Sequence, residues 1–267
     1  MAIAFAGLLL GACNEIEENE RFLDTPLSAL QRTVLLEEFT GQNCPNCPEG
    51  AKQAAKLQEM FGDKVVVVGI HAGAFAKGSE FETAAGQAYW EKFYANGNSI
   101  GYPAAIINRD GKVSTGYQSE WSSSVITAGM LPSSYEMDMK VDFDEAAKSV
   151  KVISSLKKVL GAANNQTKLV YLLTESKLIN YQASGGSYVF DYEHNHVLRG
   201  AIGDKDETPN YWGTDVVVGT KDETIVESAE YVLDANWNPA NMHVIGLLYD
   251  AQTSEALQVV EAPMVVK

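Results

Sequence analysis

Residues 33–71 read TVLLEEFTGQNCPNCPEGAKQAAKLQEMFGDKVVVVGIH, and this stretch decides the fold. Thr33 to Thr40 is rich in β-branched and large apolar residues and ends at a Gly41-Gln42-Asn43 turn, the pattern of a strand. Cys44 to Phe61 then carries helical spacing, with Ala51, Ala54, Ala55, Leu57 and Met60 able to share one side. Gly62-Asp63 closes the helix, and Lys64 to Ile70 is the near-continuous apolar run of a strand buried on both faces. Strand, helix and parallel strand make a βαβ unit, with Cys44-Pro45-Asn46-Cys47 at the first strand-to-helix junction.

That placement carries chemistry. A helix start gathers unpaired N–H groups and the positive end of the helix dipole, which favour thiolate over thiol. The first cysteine of such a pair attacks, and the second, a turn deeper, resolves the mixed disulfide. Cys44 is therefore the candidate nucleophile and Cys47 the candidate resolving thiol. Pro48 lacks a donor where the helical ladder begins, so the regular helix is expected to start after Cys44.

Working outward, the region resembles the thioredoxin-like proteins. On that resemblance Glu38, six residues before Cys44, is the buried acid that handles the resolving thiol's proton. Ser99 to Ile107 (SIGYPAAII) is similar to the family's cis-proline segment, which implies that Pro103 is cis and faces the Cys pair. Asn43 stands where the family usually has an aromatic residue. Asp110-Gly111 marks a hairpin turn, and Ser119 to Gly129 is the expected closing helix. Between His71 and Pro103 runs a long excursion with a helix expected around Ala84 to Tyr94, placed to cover part of the site. His71, at the strand end where ligands usually bind, and Tyr102 are further candidates to line it. Cys44, Cys47 and His71 supply at most three metal ligands, so no metal and no other cofactor is expected.

From Ser134 the pattern changes to short alternating runs. Tyr135–Phe143, Ser149–Leu156, Leu169–Thr174, Val216–Gly219, Thr224–Val232, His243–Tyr249 and Leu257–Val260 read as strands between turn signals, among them Ser184-Gly185-Gly186. They predict an antiparallel sandwich, Ig-like or jelly-roll-like. Asp191 to Arg199 (DYEHNHVLR) gathers two histidines, and in a strand His194 and His196 would share a face. The acidic turns at 203–207 and 221–223 lack the ordered spacing of a calcium loop.

At the other end, MAIAFAGLLLGA is an apolar run too short to span a bilayer, and it resembles the core of a secretory signal. Leu10-Gly11-Ala12-Cys13 is similar to a lipobox, which makes Cys13 the expected acylated residue. No Lys or Arg precedes the apolar run. The acidic stretch after Cys13 reads as a solvated tether. The expected organisation is thus a signal peptide at 1–12, a tether at 13–32, a thioredoxin-like α/β domain at 33–132 and an all-β sandwich domain at 133–267.

Three cysteines, with one C-x-x-C, exclude a disulfide scaffold. A net charge of −15 argues against nucleic acid as a partner, because phosphate binding needs clustered Lys and Arg. Taken with the lipoprotein start, LEEFTGQNCPNCPEG, YEHNHVLRG and the closing NPANMHVIGLLYDAQTSEALQ resemble the Omp28-related outer membrane proteins of Bacteroidota. The resemblance implies attachment at the outer membrane, on either its periplasmic or its cell-surface face, which with the lipobox makes a lipid anchor the expected membrane contact. Other envelope proteins are the expected partners if the Cys pair exchanges disulfides. Two functions stay open: thiol–disulfide exchange on extracytoplasmic proteins, and a non-enzymatic binding or adhesion protein whose Cys pair is a structural disulfide.

Overall fold

The computed structural model describes residues 30–95, 101–161, 164–219 and 223–266. The signal-peptide and lipobox readings, Cys13 and nearly all of the acidic tether lie outside the described residues.

The first half runs β1 (Val34–Thr40), α1 (Cys47–Phe61), β2 (Val65–His71), α2 (Ala84–Tyr89), β3 (Ala104–Ile107), β4 (Val113–Ser114) and α3 (Glu120–Gly129). β1 and β2 pair in parallel and every residue of both is buried, as a strand covered on each face must be. Helix α1 begins at Cys47, so Pro48 sits in the first turn, where its missing N–H breaks no ladder bond. Glu49 in that turn complements the helix dipole. The helix expected around Ala84 to Tyr94 is α2 followed by one π-turn, Trp90–Tyr94.

The second half is mostly strand, with one short 3-10 turn at Pro239–Asn241: β5 (Tyr135–Asp144), β6 (Ser149–Lys158), β7 (Asn164–Glu175), β8 (Leu178–Ser184), β9 (Ser187–His194), β10 (Val197–Ala201), β11 (Thr214–Val218), β12 (Thr224–Val232), β13 (Met242–Asp250), β14 (Ala256–Pro263) and β15 (Val265–Val266). The molecule is mixed α/β and mostly β.

Its halves share a sheet. Among the described residues nine strands join in one sheet, in the order β14-β13-β7-β10-β2-β1-β3-β4, with β11 also paired to β7. The seam is β10 beside β2, bridged in parallel at Val197–Gly69 and tied by the Gly69 N–H to His196 O at 2.8 Å. A second sheet, β12-β6-β5-β15, lies apart.

Alternation along the strands builds three cores from this plan. Leu35, Phe39, Val66, Val68 and Ile70 turn to one face with Val170, Leu172 and Ile245, under Tyr89 and Ala85 of α2. On the other face the cover changes along the sheet. Val34, Leu36, Val65 and Val67 pack under α1 and α3 through Leu57, Phe61, Trp121 and Val125. Leu169, Tyr171, Leu173 and Val244 pack instead under β5 and β6 through Met137, Phe143, Val150 and Val152. Each fully buried Leu, Ile, Val or Phe contributes about 1.5–3 kcal/mol, so the sheet is the common floor of all three cores. The four-stranded sheet therefore packs as a second layer on a sheet that is continuous with the α/β half. No helix among the described residues is long and apolar enough to cross a membrane.

Candidate functional site

Cys44 lies in the turn before α1 and Cys47 is the first residue of that helix; they form a disulfide with Cα atoms 5.4 Å apart. Both are buried, at 1% and 2% exposure. The turn ends β1 at Gly41, where a Cβ would come within 2.5 Å of the Phe75 backbone. Only glycine lets these two chain segments meet there. Asn43 N–H completes the junction by donating to Phe75 O at 3.0 Å. The His71–Pro103 excursion does lie against the site, through Phe75 and through Ser79 Oγ donating to the Gln42 side chain.

Below the pair, β1 presents Glu38 toward α1. Its Oε1 is buried without a hydrogen-bond partner among the described residues. Gly50 of α1 makes room for it: a Cβ there would stand 2.7 Å from Glu38 Oε1 and 2.6 Å from Pro103 Cβ. The Tyr102–Pro103 peptide is cis, and Pro103, Gly50 and Glu38 meet beneath the helix start. Burial pushes the Glu38 carboxyl up to about 8, which leaves it protonated at neutral pH.

Glu38 and Cys47 open on a cleft of about 210 Å³ between α1, β2 and the end of β9, also lined by His71, Gln182, Tyr192 and His194. His71 contacts Phe81 at 5.1 Å and His194 at 5.5 Å between ring centres, and its Nδ1 has no partner among the described residues. Burial first, then His194 and Arg199, lower His71 to about 3; burial lowers His194 to about 4, against the Tyr181 carbonyl bond that raises it. The imidazoles are therefore neutral at pH 7. Among the described residues no group of three or more His, Cys, Asp or Glu side chains could hold a metal ion.

Two candidates sit differently from the sequence reading. Tyr102 donates to Ala72 O at 2.9 Å and packs on Phe75 and Tyr94, and it is not among the residues lining the cleft. His194 and His196 do not share a strand face, because β9 ends at His194 and the chain turns at His196 with φ 55°.

The part of the site that sequence reasoning missed is β8–β9. This hairpin lies over the 41–47 turn: Ala183 N–H donates to Gln42 O at 2.7 Å, and Gln42 Nε2 donates back to Tyr181 O at 2.8 Å. Buried Gln182 sends its amide to Cys44 O at 2.9 Å and Gly41 O at 3.2 Å. The available signal was Ser184-Gly185-Gly186-Ser187, a tight turn with flanking residues able to pair.

Fold and site together define a mixed α/β protein with a C-x-x-C disulfide at a strand-to-helix junction, covered by a hairpin from the β-rich half. The chain belongs to the Omp28 outer membrane protein family, whose profile matches residues 90–266. The matched span begins downstream of the Cys pair. Among solved structures, HBP35 of Porphyromonas gingivalis superposes with a TM-score of 0.67 at 17% identity, over 88% of this chain and 76% of that one. Protein AGR_C_4864 from Agrobacterium tumefaciens gives 0.52 at 12% identity, over 89% and 97%. A domain of the outer membrane lipoprotein Omp28 from Porphyromonas gingivalis is 19% identical over 51% of this chain and 91% of that one, with a TM-score of 0.36. Among curated proteins none matches significantly.

Proposed function

We propose that this chain is a lipid-anchored outer membrane protein whose Cys44–Cys47 pair exchanges disulfides with other extracytoplasmic proteins. Residues 33–132 would form a thioredoxin-like domain and 133–267 a sandwich domain bonded to it through the shared sheet. The observation that carries the reading is the unpartnered, protonated Glu38 opening on the same cleft as Cys47 at the helix start. A buried acid without a hydrogen-bond partner costs stability, and titratable groups perturbed in this way cluster at functional clefts.

In the reduced protein the Cys44 thiolate attacks one sulfur of a partner disulfide, and the partner's other sulfur leaves as a thiolate. Cys47, giving its proton to a base, then attacks Cys44 Sγ. The partner departs with both sulfurs reduced, and the Cys44–Cys47 disulfide holds the two-electron oxidation. Glu38, protonated in the oxidised protein, is placed to give its proton to the Cys47 thiolate when the disulfide opens. It takes the Cys47 proton in the direction written here only from its ionised form. Pro103 is placed to border the partner's backbone. The burial of both cysteines favours a second reading, an inert structural disulfide in a binding protein.

The reduction potential of the full-length protein in detergent, equilibrated in glutathione buffers and trapped by alkylation, separates them. A value between about −120 and −270 mV is expected; one below about −300 mV marks a structural disulfide and sinks the exchange reading. Anchorage is tested apart from this. Cys13→Ser should lose palmitate label and leave the membrane fraction, and retention of both would refute acylation at Cys13.

A further inference from the structure

β8 and β9 pair only with each other among the described residues, yet they continue β7 and β10, which are neighbours in the large sheet. Where the ladder passes from one pair to the next, each strand turns through a non-glycine residue in the left-handed region: Lys177 at φ 59° and His196 at φ 55°. Lys177 N–H donates to Asn195 Oδ1 at 2.9 Å, and His196 N–H donates to Ser176 Oγ at 3.0 Å. The ribbon is thus bent at one line across both strands, anchored at its root by cross-strand bonds.

Beyond that line it is held to the Cys turn by a small set of polar bonds. Gln182 Nε2 reaches Gly41 O and Cys44 O, Ala183 N–H reaches Gln42 O, and Gly185 N–H reaches Pro45 O at 3.4 Å. The outer face is bare, with Ile179, Tyr188 and Phe190 exposed at 61%, 54% and 77%. An isolated two-stranded hairpin is marginally stable in water, so it stays down through these bonds together with Gln42 Nε2 to Tyr181 O, Asn180 to Glu80 and the packing of buried His194 on His71 and Phe81. Meanwhile Cys44 is 1% exposed, and a thiolate must reach its sulfur directly to break the disulfide.

We propose that the β8–β9 hairpin is a lid over the Cys44–Cys47 disulfide, hinged at Lys177 and His196 and latched by Gln182, and that the disulfide reacts only when the lid lifts. This rests on reading the pair as an exchange site. It reconciles a reactive C-x-x-C with its burial: the lid sets the rate of attack, while the pair's own chemistry sets the potential. Gln182 is a positioning residue, acting through the hairpin and the Cys44 carbonyl.

The test is the rate at which dithiothreitol reduces the oxidised full-length protein, followed by alkylation. One dithiothreitol thiolate attacks Cys44 Sγ, the S–S bond breaks and Cys47 leaves as a thiolate that takes a proton. The second dithiothreitol thiol then closes its ring and frees Cys44, so the reagent loses the two electrons that the pair gains. Gln182→Ala should raise this rate about tenfold. It should also speed hydrogen exchange at the Ala183 and Gly185 amides by a similar factor, with Leu247 of β13 unchanged. A reduction rate within twofold of the unaltered chain overturns the proposal.

If Gln182→Ala does not fold, the unaltered chain still decides. Exchange at Ala183 and Gly185 gives the open fraction, and that fraction times the rate for an unhindered dithiol-accessible disulfide should match the observed rate within about tenfold. Reduction faster than this shows attack with the lid down and overturns the lid. A structural-range potential with the rate prediction fulfilled would instead retire the exchange reading and leave the lid standing.

Discussion

Glu37 and Glu38 are adjacent on β1 and both buried, but they face opposite sides of the sheet and meet opposite fates. Toward α2, Glu37 receives two bonds from Arg109, Nε to Oε2 at 2.8 Å and Nη2 to Oε1 at 2.6 Å. The guanidinium lies 4.9 Å from the rings of Tyr89 and Phe93. Burial alone would lower the Arg109 pKa, but the Glu37 carboxylate beside it raises it on balance. Toward α1, Glu38 has no such cation and keeps its proton instead. The same residue type is fixed structure on one face and a titratable group beside a disulfide on the other, and only the presence of a partner separates them.

The comparison is broken most forcefully by removing the partner. Arg109→Met leaves a buried carboxylate without its cation, at an expected cost of about 3–5 kcal/mol in urea unfolding at pH 7. The double change with Glu37→Gln should recover part of that loss, because no buried charge is then stranded. A single-variant cost under about 1 kcal/mol would mean that Glu37 does not depend on Arg109, and the contrast between the two faces would fail.

Much of the Cys side was legible in the sequence because its signals are local. The strand TVLLEEFT, the turn and the helix that follows lie within thirty residues of one another, so strand order and the place of the Cys pair follow from periodicity. The cis peptide at Tyr102-Pro103 was legible only through the resemblance of its segment to the thioredoxin-like proteins. The cover over the site was not legible, because Gln182 meets the Cys44 carbonyl across 138 residues of chain and nothing local in YQASGGSY marks that contact. The shared sheet was hidden for a related reason. Val197 to Ala201 is a five-residue strand that touches β2 through a single bridge, too short to show a period of its own. The paired-histidine reading failed at a turn: the left-handed conformation at His196 breaks the alternation that a continuous strand would impose.

The comparison is sharpened by titrating the unpaired acid. Glu38 has a folded-state pKa of about 8 against 4.5 for the ordinary group, so between those values the native state holds a proton that the unfolded chain has released. Its contribution to stability is full below about pH 4.5 and is lost as the pH rises through 8, at up to about 1.4 kcal/mol per pH unit. Glu38→Gln keeps the shape and removes the titration. The difference in unfolding free energy between variant and unaltered chain should therefore grow in the variant's favour by about 3 kcal/mol from pH 5 to pH 7.5. Measuring the difference, rather than either curve, cancels His71 and His194, whose lowered pKa values work in the opposite sense as the pH falls below 6.5. A difference that stays level across that window would place an unseen partner or charge at Glu38, and the two faces of β1 would then be alike.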